Sequence, residues 1–195
     1  MGGLWAGEGA LLELEVRSLG EWRDWLAANH AQPESIWLVS WKARRRDLYI
    51  PYRDLVTEAI AWGWIDSLPR ALDDDRSMRR MSPRKAGSAW SRVNKAIAED
   101  LIAQGRMQPP GLYGVRQAQE SGAWSRLDDV EAGLIPDDLA RALEDAPEAR
   151  AWFEARSRSD RRAILEWILA ARTAQTRARR IDETASGRPS VLWRR

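Results

Sequence analysis

Two short stretches hold most of the residues able to do chemistry. The first is Trp62-Gly63-Trp64-Ile65-Asp66-Ser67, at an expected helix-to-strand junction; the second runs from Arg80 to Asn94 and reads RMSPRKAGSAWSRVN. On a strand, Trp64 and Asp66 share a face. A carboxylate beside an indole can hold a cation through its charge and the ring's π-face. It can equally close an ion pair with Arg79, Arg80 or Arg84. In the second stretch, Gly87 and Ser88 stand before an expected helix, where free N–H groups and the dipole favour an anion. Arg84 and Lys85 beside them would bind a carboxylate or phosphate. Ser88 can also serve simply as that helix's cap. Ser91 and Arg92 follow at helical spacing. Trp90 and Asn94, four apart, share a face and form either a buried polar contact to the hairpin or one wall of a pocket. The candidate ligand-binding set is therefore Trp62, Trp64, Asp66, Arg80, Arg84, Lys85, Ser88, Trp90, Ser91 and Asn94, with Asp66 as the one catalytic candidate.

Composition narrows the chemistry. The 195 residues contain no cysteine and one histidine, His30. Thiolate metal sites, disulfides and a cysteine nucleophile are excluded, as is a Ser-His-Asp triad away from His30. No cofactor is expected. Tryptophan occurs 12 times against three tyrosines and one phenylalanine. Each indole must bury a large ring and find an acceptor for its N–H. Trp22, Trp25, Trp37, Trp41, Trp152 and Trp167 sit on periodic apolar faces and read as core, while Trp5 and Trp193 fall in expected frayed ends. The net charge of +2 conceals segregation: −3 over 1–69, +5 over 70–95, −7 over 96–155 and +7 over 156–195. Arg76 to Lys95 holds seven basic residues and no acid. That is either an anion-binding surface or one half of a packed pair with the acidic 96–155 segment. No apolar run reaches the 18 residues of a membrane helix. Met1 to Val16 has three glutamates and no basic residue, unlike a secretory signal, so a cytoplasmic location is expected.

The elements that must position these residues follow from periodicity. ALLELEVR at 10–17 alternates and predicts a strand; a capping box at Ser18-Leu-Gly-Glu21 opens a helix to about Asn29, with His30 as its cap. Ser35 to Lys42 is a second strand. A helix from Pro51 to Gly63 presents Leu55, Val56, Ala59, Ile60 and Trp62. Trp64–Arg70 and Arg76–Ser82 form a hairpin around Asp73-Asp74-Asp75. Ser88 to Gly105 is a helix with Trp90, Val93, Ile97 and Leu101 on its inner face. After Pro109 all is helical save a loop at 125–133. The fold class is α+β: a small antiparallel sheet in the N-terminal half packed by helices, with an all-helical C-terminal part. The expected organisation is a motif-bearing core over 10–108, a helical part over 109–187 packed on it, and frayed ends at 1–9 and 188–195.

These phrases resemble the YdeI/OmpD-associated, or bacteriocin-protection, family. That family shows phrases like F-G-W-I-D-G, R-F-T-P-R, S-x-W-S-x-x-N and G-R-M-T-P-x-G. Here they stand as Trp62–Ser67, Arg80–Arg84, Ser88–Asn94 and Gly105–Gly111. Glu21–His30 and Ala171–Arg180 also resemble it. Trp62, Ser67 and Met81 depart from the usual residues and would reshape the wall of any shared pocket. The resemblance implies a role in resistance to antimicrobial compounds. It suggests a protein that sequesters a small molecule or peptide in a Trp/Arg/Asp-lined pocket. The alternative is a cofactor-independent hydrolase or isomerase using Asp66 as base or nucleophile, with Arg84 and the Ser88 helix end as anion site. No reader motif supports specific nucleic-acid binding, and nothing in the sequence sets the oligomeric state.

Overall fold

The computed structural model describes residues 11–192. The order is β1 (Leu12–Glu15), α1 (Leu19–Asn29), β2 (Ile36–Trp41), α2 (Tyr52–Ala61), β3 (Trp64–Ala71), β4 (Arg76–Pro83), α3 (Arg92–Ala103), α4 (Pro109–Glu120), α5 (Asp128–Ala132), α6 (Asp137–Glu144), α7 (Pro147–Glu154), α8 (Arg158–Leu169) and α9 (Ala174–Ala185). Trp5 and Trp193 lie outside the described residues. The class is α+β, with a four-stranded sheet in the N-terminal half and a helical C-terminal part. Among the described residues, no helix is long and apolar enough to cross a membrane.

The chain divides into two compact units at Ser125/Arg126. In the first, the sheet order is β1-β2-β4-β3. β2, β4 and β3 pair antiparallel, but β1 joins β2 parallel, with Leu12 opposite Ile36 and Leu14 opposite Leu38. The sheet is thus mixed at that edge. The reason is α1: a helical crossover returns the chain to the same end of the sheet before β2 begins. Ser18 caps α1 by accepting the N–H of Glu21, and the Glu21 carboxylate accepts the N–H of Arg17.

α2 carries two adjacent apolar stripes rather than one. Leu55 and Ala59 face the sheet core with Trp22, Leu26, Ile36, Leu38, Trp64 and Met81. Val56 and Ile60 face a second core with Trp90, Ile97, Leu101 and Val115. α3 starts at Arg92, four residues later than expected, and Val93, on its first turn, is 68% exposed rather than on the inner face. α4 belongs with the first unit. The Gln108 N–H donates to the Ala61 carbonyl, and Gly111 lies directly against that same carbonyl.

The second unit packs Leu139, Leu143, Phe153, Ile164, Leu165, Ile168 and Ile181 into one core. The expected loop at 125–133 contains α5. Its first turn holds Asp128, Asp129 and Glu131 at the positive helix end, Val130 is buried, and Gly133 ends it in the left-handed region. Val191 and Leu192 also pack on this core.

A side chain at Gly111 has nowhere to go: a Cβ there would lie 2.3 Å from the Ala61 oxygen. Gly114, on the same helix, meets nothing within 4 Å. Gly111→Ala should lose about 1–3 kcal/mol through overpacking against backbone. Gly114→Ala should gain up to about 1 kcal/mol of helix propensity. Urea denaturation of both variants checks the pair, and equal effects would mean that α4 does not sit this close to α2.

Candidate functional site

The β3–β4 hairpin sets the position of Asp66. Trp64 pairs with Pro83 and Asp66 with Met81, so Trp64, Asp66, Met81 and Arg79 all point to the face covered by α2. Trp64 is fully buried; its indole N–H donates to the His30 carbonyl at 3.0 Å, and its ring meets Trp25 edge-on. It is a core residue, not a pocket wall. Asp66 sits at the rim of that core. Its Oδ2 accepts the Tyr52 hydroxyl at 2.7 Å and Arg79 Nη1 at 3.1 Å, and the Arg79 guanidinium lies over the Tyr52 ring at 4.2 Å. Burial pushes the Tyr52 phenol up to about 12, with the hydrogen bond to Asp66 and its charge adding to the shift. Arg80 points to the opposite face, where Nη2 reaches the Ser35 hydroxyl at 3.3 Å.

Arg84 leaves the end of β4 and folds back on its own chain. Its guanidinium stacks on the Trp90 ring at 3.7 Å, and Nη1 donates to the Ser88 and Ala89 carbonyls at 3.4 and 3.2 Å. Nε, Nη2 and the Trp90 indole N–H are buried without a hydrogen-bond partner. Burial lowers the guanidinium to about 10, with the Asp66 charge acting against that shift. Ser88 is not a helix N-terminus. Residues 88–90 lie outside the helix: Arg84 donates to the Ser88 and Ala89 carbonyls, and the Trp90 N–H donates to the Ala123 carbonyl. Ser91 caps α3 instead, accepting the Asn94 N–H at 3.3 Å. Trp90 therefore precedes the helix, and the pairing of Trp90 with Asn94 on one helical face does not form. Lys85 is exposed, and Trp62 ends α2 with its ring against His30.

The ten sequence-derived residues thus separate. Asp66 joins Tyr52 and Arg79; Arg84, Ser88 and Trp90 form a stacked cluster; Ser91 and Asn94 make a helix cap. Two cations of the basic run meet acids that precede it: Arg76 pairs with Glu15 and Asp73, and Arg79 with Asp66.

A cavity of about 490 Å³ opens beside the Asp66 cluster. Leu38, Leu55 and Met81 form its apolar side, while Tyr49, Tyr52, Lys42 and Arg79 supply polar groups. A bulge shapes it. Asp66 opposes Met81 and Pro69 opposes Arg79, so β3 advances three residues while β4 advances two. Strict alternation would turn Leu68 and Arg70 to this face; the bulge turns Pro69 and Ala71 there instead. Of the cavity's polar groups, none but Arg79 figured in the sequence reading, and then only as an ion-pair partner for Asp66. The available signals were Pro69 inside a strand, a mark of edge or bulge, and the two tyrosines flanking Pro51.

Comparison with known families gives two matches. The model described as a domain of unknown function (DUF8412) matches residues 14–114, more than half of the chain. The model described as bacteriocin-protection, YdeI or OmpD-associated matches residues 134–186. The resemblance read from the motifs is thus met on the second unit. The phrases from Trp62 to Gly111 lie inside the first match. No curated protein and no solved structure matches the chain.

Two measurements follow from these geometries. A buried guanidinium with two unpaired nitrogens and no acid partner is a poor stabiliser. Arg84→Met should therefore unfold at the same or higher denaturant concentration; a loss above about 2 kcal/mol would mean that the Trp90 stack and the two carbonyl bonds outweigh desolvation. In a Tyr49→Phe/Tyr113→Phe chain, Tyr52 is the sole tyrosine, and its absorbance should titrate near pH about 12. Asp66→Asn should lower that midpoint only partway toward the ordinary value of about 10, because burial is the larger cause. A raised phenol stabilises the fold fully below about pH 10, and the contribution fades as the pH climbs toward 12.

Proposed function

We propose that this chain, which belongs to the family described as a domain of unknown function (DUF8412) and carries a bacteriocin-protection, YdeI or OmpD-associated segment, is a non-catalytic binding protein that protects by sequestering a small molecule. One observation carries the reading. The cavity of about 490 Å³ joins an apolar floor to an arginine already held in place by Asp66 and Tyr52. Cavities of roughly 300–1,000 Å³ with few fixed polar groups suit drug-sized compounds. The fixed guanidinium loses little freedom when a ligand arrives. A polycationic peptide fits less well, since Lys42 and Arg79 would repel it.

The catalytic alternative loses most of its parts. Asp66 is engaged as an acceptor, its Oδ2 taken by both Tyr52 and Arg79, as in a structural ion pair. Its anion-binding partner, a helix end at Ser88, does not form: α3 begins at Arg92, and the Ser88 carbonyl accepts from Arg84.

Thermal shift and isothermal titration against a panel of antimicrobial small molecules test the reading. At least one compound should raise the melting temperature. Ala71→Phe, at an exposed cavity-lining position of β3, should abolish that rise while leaving the ligand-free melt nearly unchanged. Cells producing the chain should tolerate the bound compound better than cells producing Ala71→Phe. A silent panel, or binding that survives the filled cavity, would sink the reading.

A further inference from the structure

The side chains aimed into the cavity have a common sign. The register places Ser40 opposite Ser77 and Leu38 opposite Arg79, so both serines and Arg79 point inward, and Lys42 follows on the same alternation. Among the described residues, no aspartate or glutamate lines the cavity. Trp41, Met78 and Arg70 border it from positions whose side chains turn to the other face. Asp66 is not on the lining. It stands behind Tyr52 and Arg79, its Oδ2 taken by both.

The two cations also keep donors in reserve. Both side-chain hydrogen bonds of Arg79 use Nη1, to Asp66 and to the Ser67 carbonyl, leaving Nε and Nη2. Lys42 Nζ donates to the Asp73 carbonyl at 2.6 Å and has two further protons. Asp66 offsets one of the two positive charges, so the polar end remains net positive. Beside it lie Leu38, the cross-strand partner of Arg79, with Met81 and Leu55, and Tyr49 also lines the cavity.

We infer that the cavity takes a small organic acid: a carboxylate or similar anionic group on an apolar, ring-bearing body, the charge held by Arg79 and Lys42. The inference rests on the binding reading and adds the sign and shape of the ligand. Asp66 is here a positioning residue. It tethers Arg79 over the Tyr52 ring so that the free guanidinium edge is presented in one orientation. A cationic ligand would meet Lys42 and Arg79 before it could approach the single acid.

A matched trio tests this by isothermal titration with the full chain: naphthoate, its neutral isostere naphthamide, and naphthylmethylamine. Naphthoate should bind at least about tenfold more tightly than the amide, a preference of about 1.4 kcal/mol, and the amine weakest of the three. Added salt should erode the preference. Arg79→Met should erase it while Arg79→Lys keeps part of it, each variant being checked for folding by circular dichroism. Should Arg79→Met fail to fold, Lys42→Met reads the same quantity and should reduce the preference several-fold. Amide or amine binding as well as naphthoate overturns the inference and leaves the binding reading standing. Silence from all three, together with a silent antimicrobial panel, removes the binding reading and this inference with it.

Discussion

The first unit is organised by one buried carboxylate. Glu58, on α2, is only 4% exposed and accepts Arg23 from α1 at 2.7 and 3.1 Å and Arg106 from the α3–α4 link at 3.0 Å. A lone carboxylate at that depth would cost several kcal/mol, and two guanidinium partners are what make its burial tolerable. The cluster fixes the rotation of α2 about its axis. With Glu58 turned toward the arginines, Leu55 and Ala59 must face the sheet, and Val56 and Ile60 must face α3 and α4. Tyr52, on the first turn, is then carried to the rim where Asp66 and Arg79 meet it. Tyr52 and Leu55, near the start of α2, then line the cavity together with Ser77 and Arg79 of β4.

Several residues that invite a chemical reading are joints of the fold. Arg23 and Arg106 lie in phrases shared with the resembled family, yet both serve Glu58. Gly63 adopts φ +76, which lets the chain turn from α2 into β3 within reach of the Pro110 backbone. Gly111 permits the close approach of α4 to Ala61. Trp22 and Trp64 each bury a full indole and return their N–H groups to backbone carbonyls, of Leu55 and His30. These two tryptophans meet the demand their side chains make, a large apolar contact with one satisfied donor.

The sequence made local features legible and left long-range ones hidden. The β3–β4 hairpin, the Ser18 cap, the His30 cap and the α4 start at its prolines are decided by a few adjacent residues, and periodicity exposes them. The helix start at Arg92, rather than near Ser88, has a definite reason. Ser88 and Ser91 are equally good caps by type, and the choice between them falls to Arg84 and Ala123, which compete for the backbone of 88–90. The cavity is hard to read from sequence because a β-bulge inverts alternation in half of β3; Pro69 marks an irregularity there, and the register with β4 fixes its position.

The hairpin also explains why one arginine, of the three that compete for Asp66, prevails. In an antiparallel pair, the residue two along from the direct partner lies diagonally across the same face, within reach of a long side chain. Arg79 stands in that relation to Asp66, whose direct partner is Met81. Arg80 belongs to the opposite face by alternation alone. Arg84 lies beyond the end of β4 and finds two carbonyls and an indole before it finds a carboxylate. Strand parity therefore divides three chemically equivalent guanidiniums into a tethered cation on the cavity wall, an arginine bonded to Ser35 on the other face, and a buried cation without an acid partner. Residue type alone could not separate them; strand register is what puts Arg79 on the cavity wall.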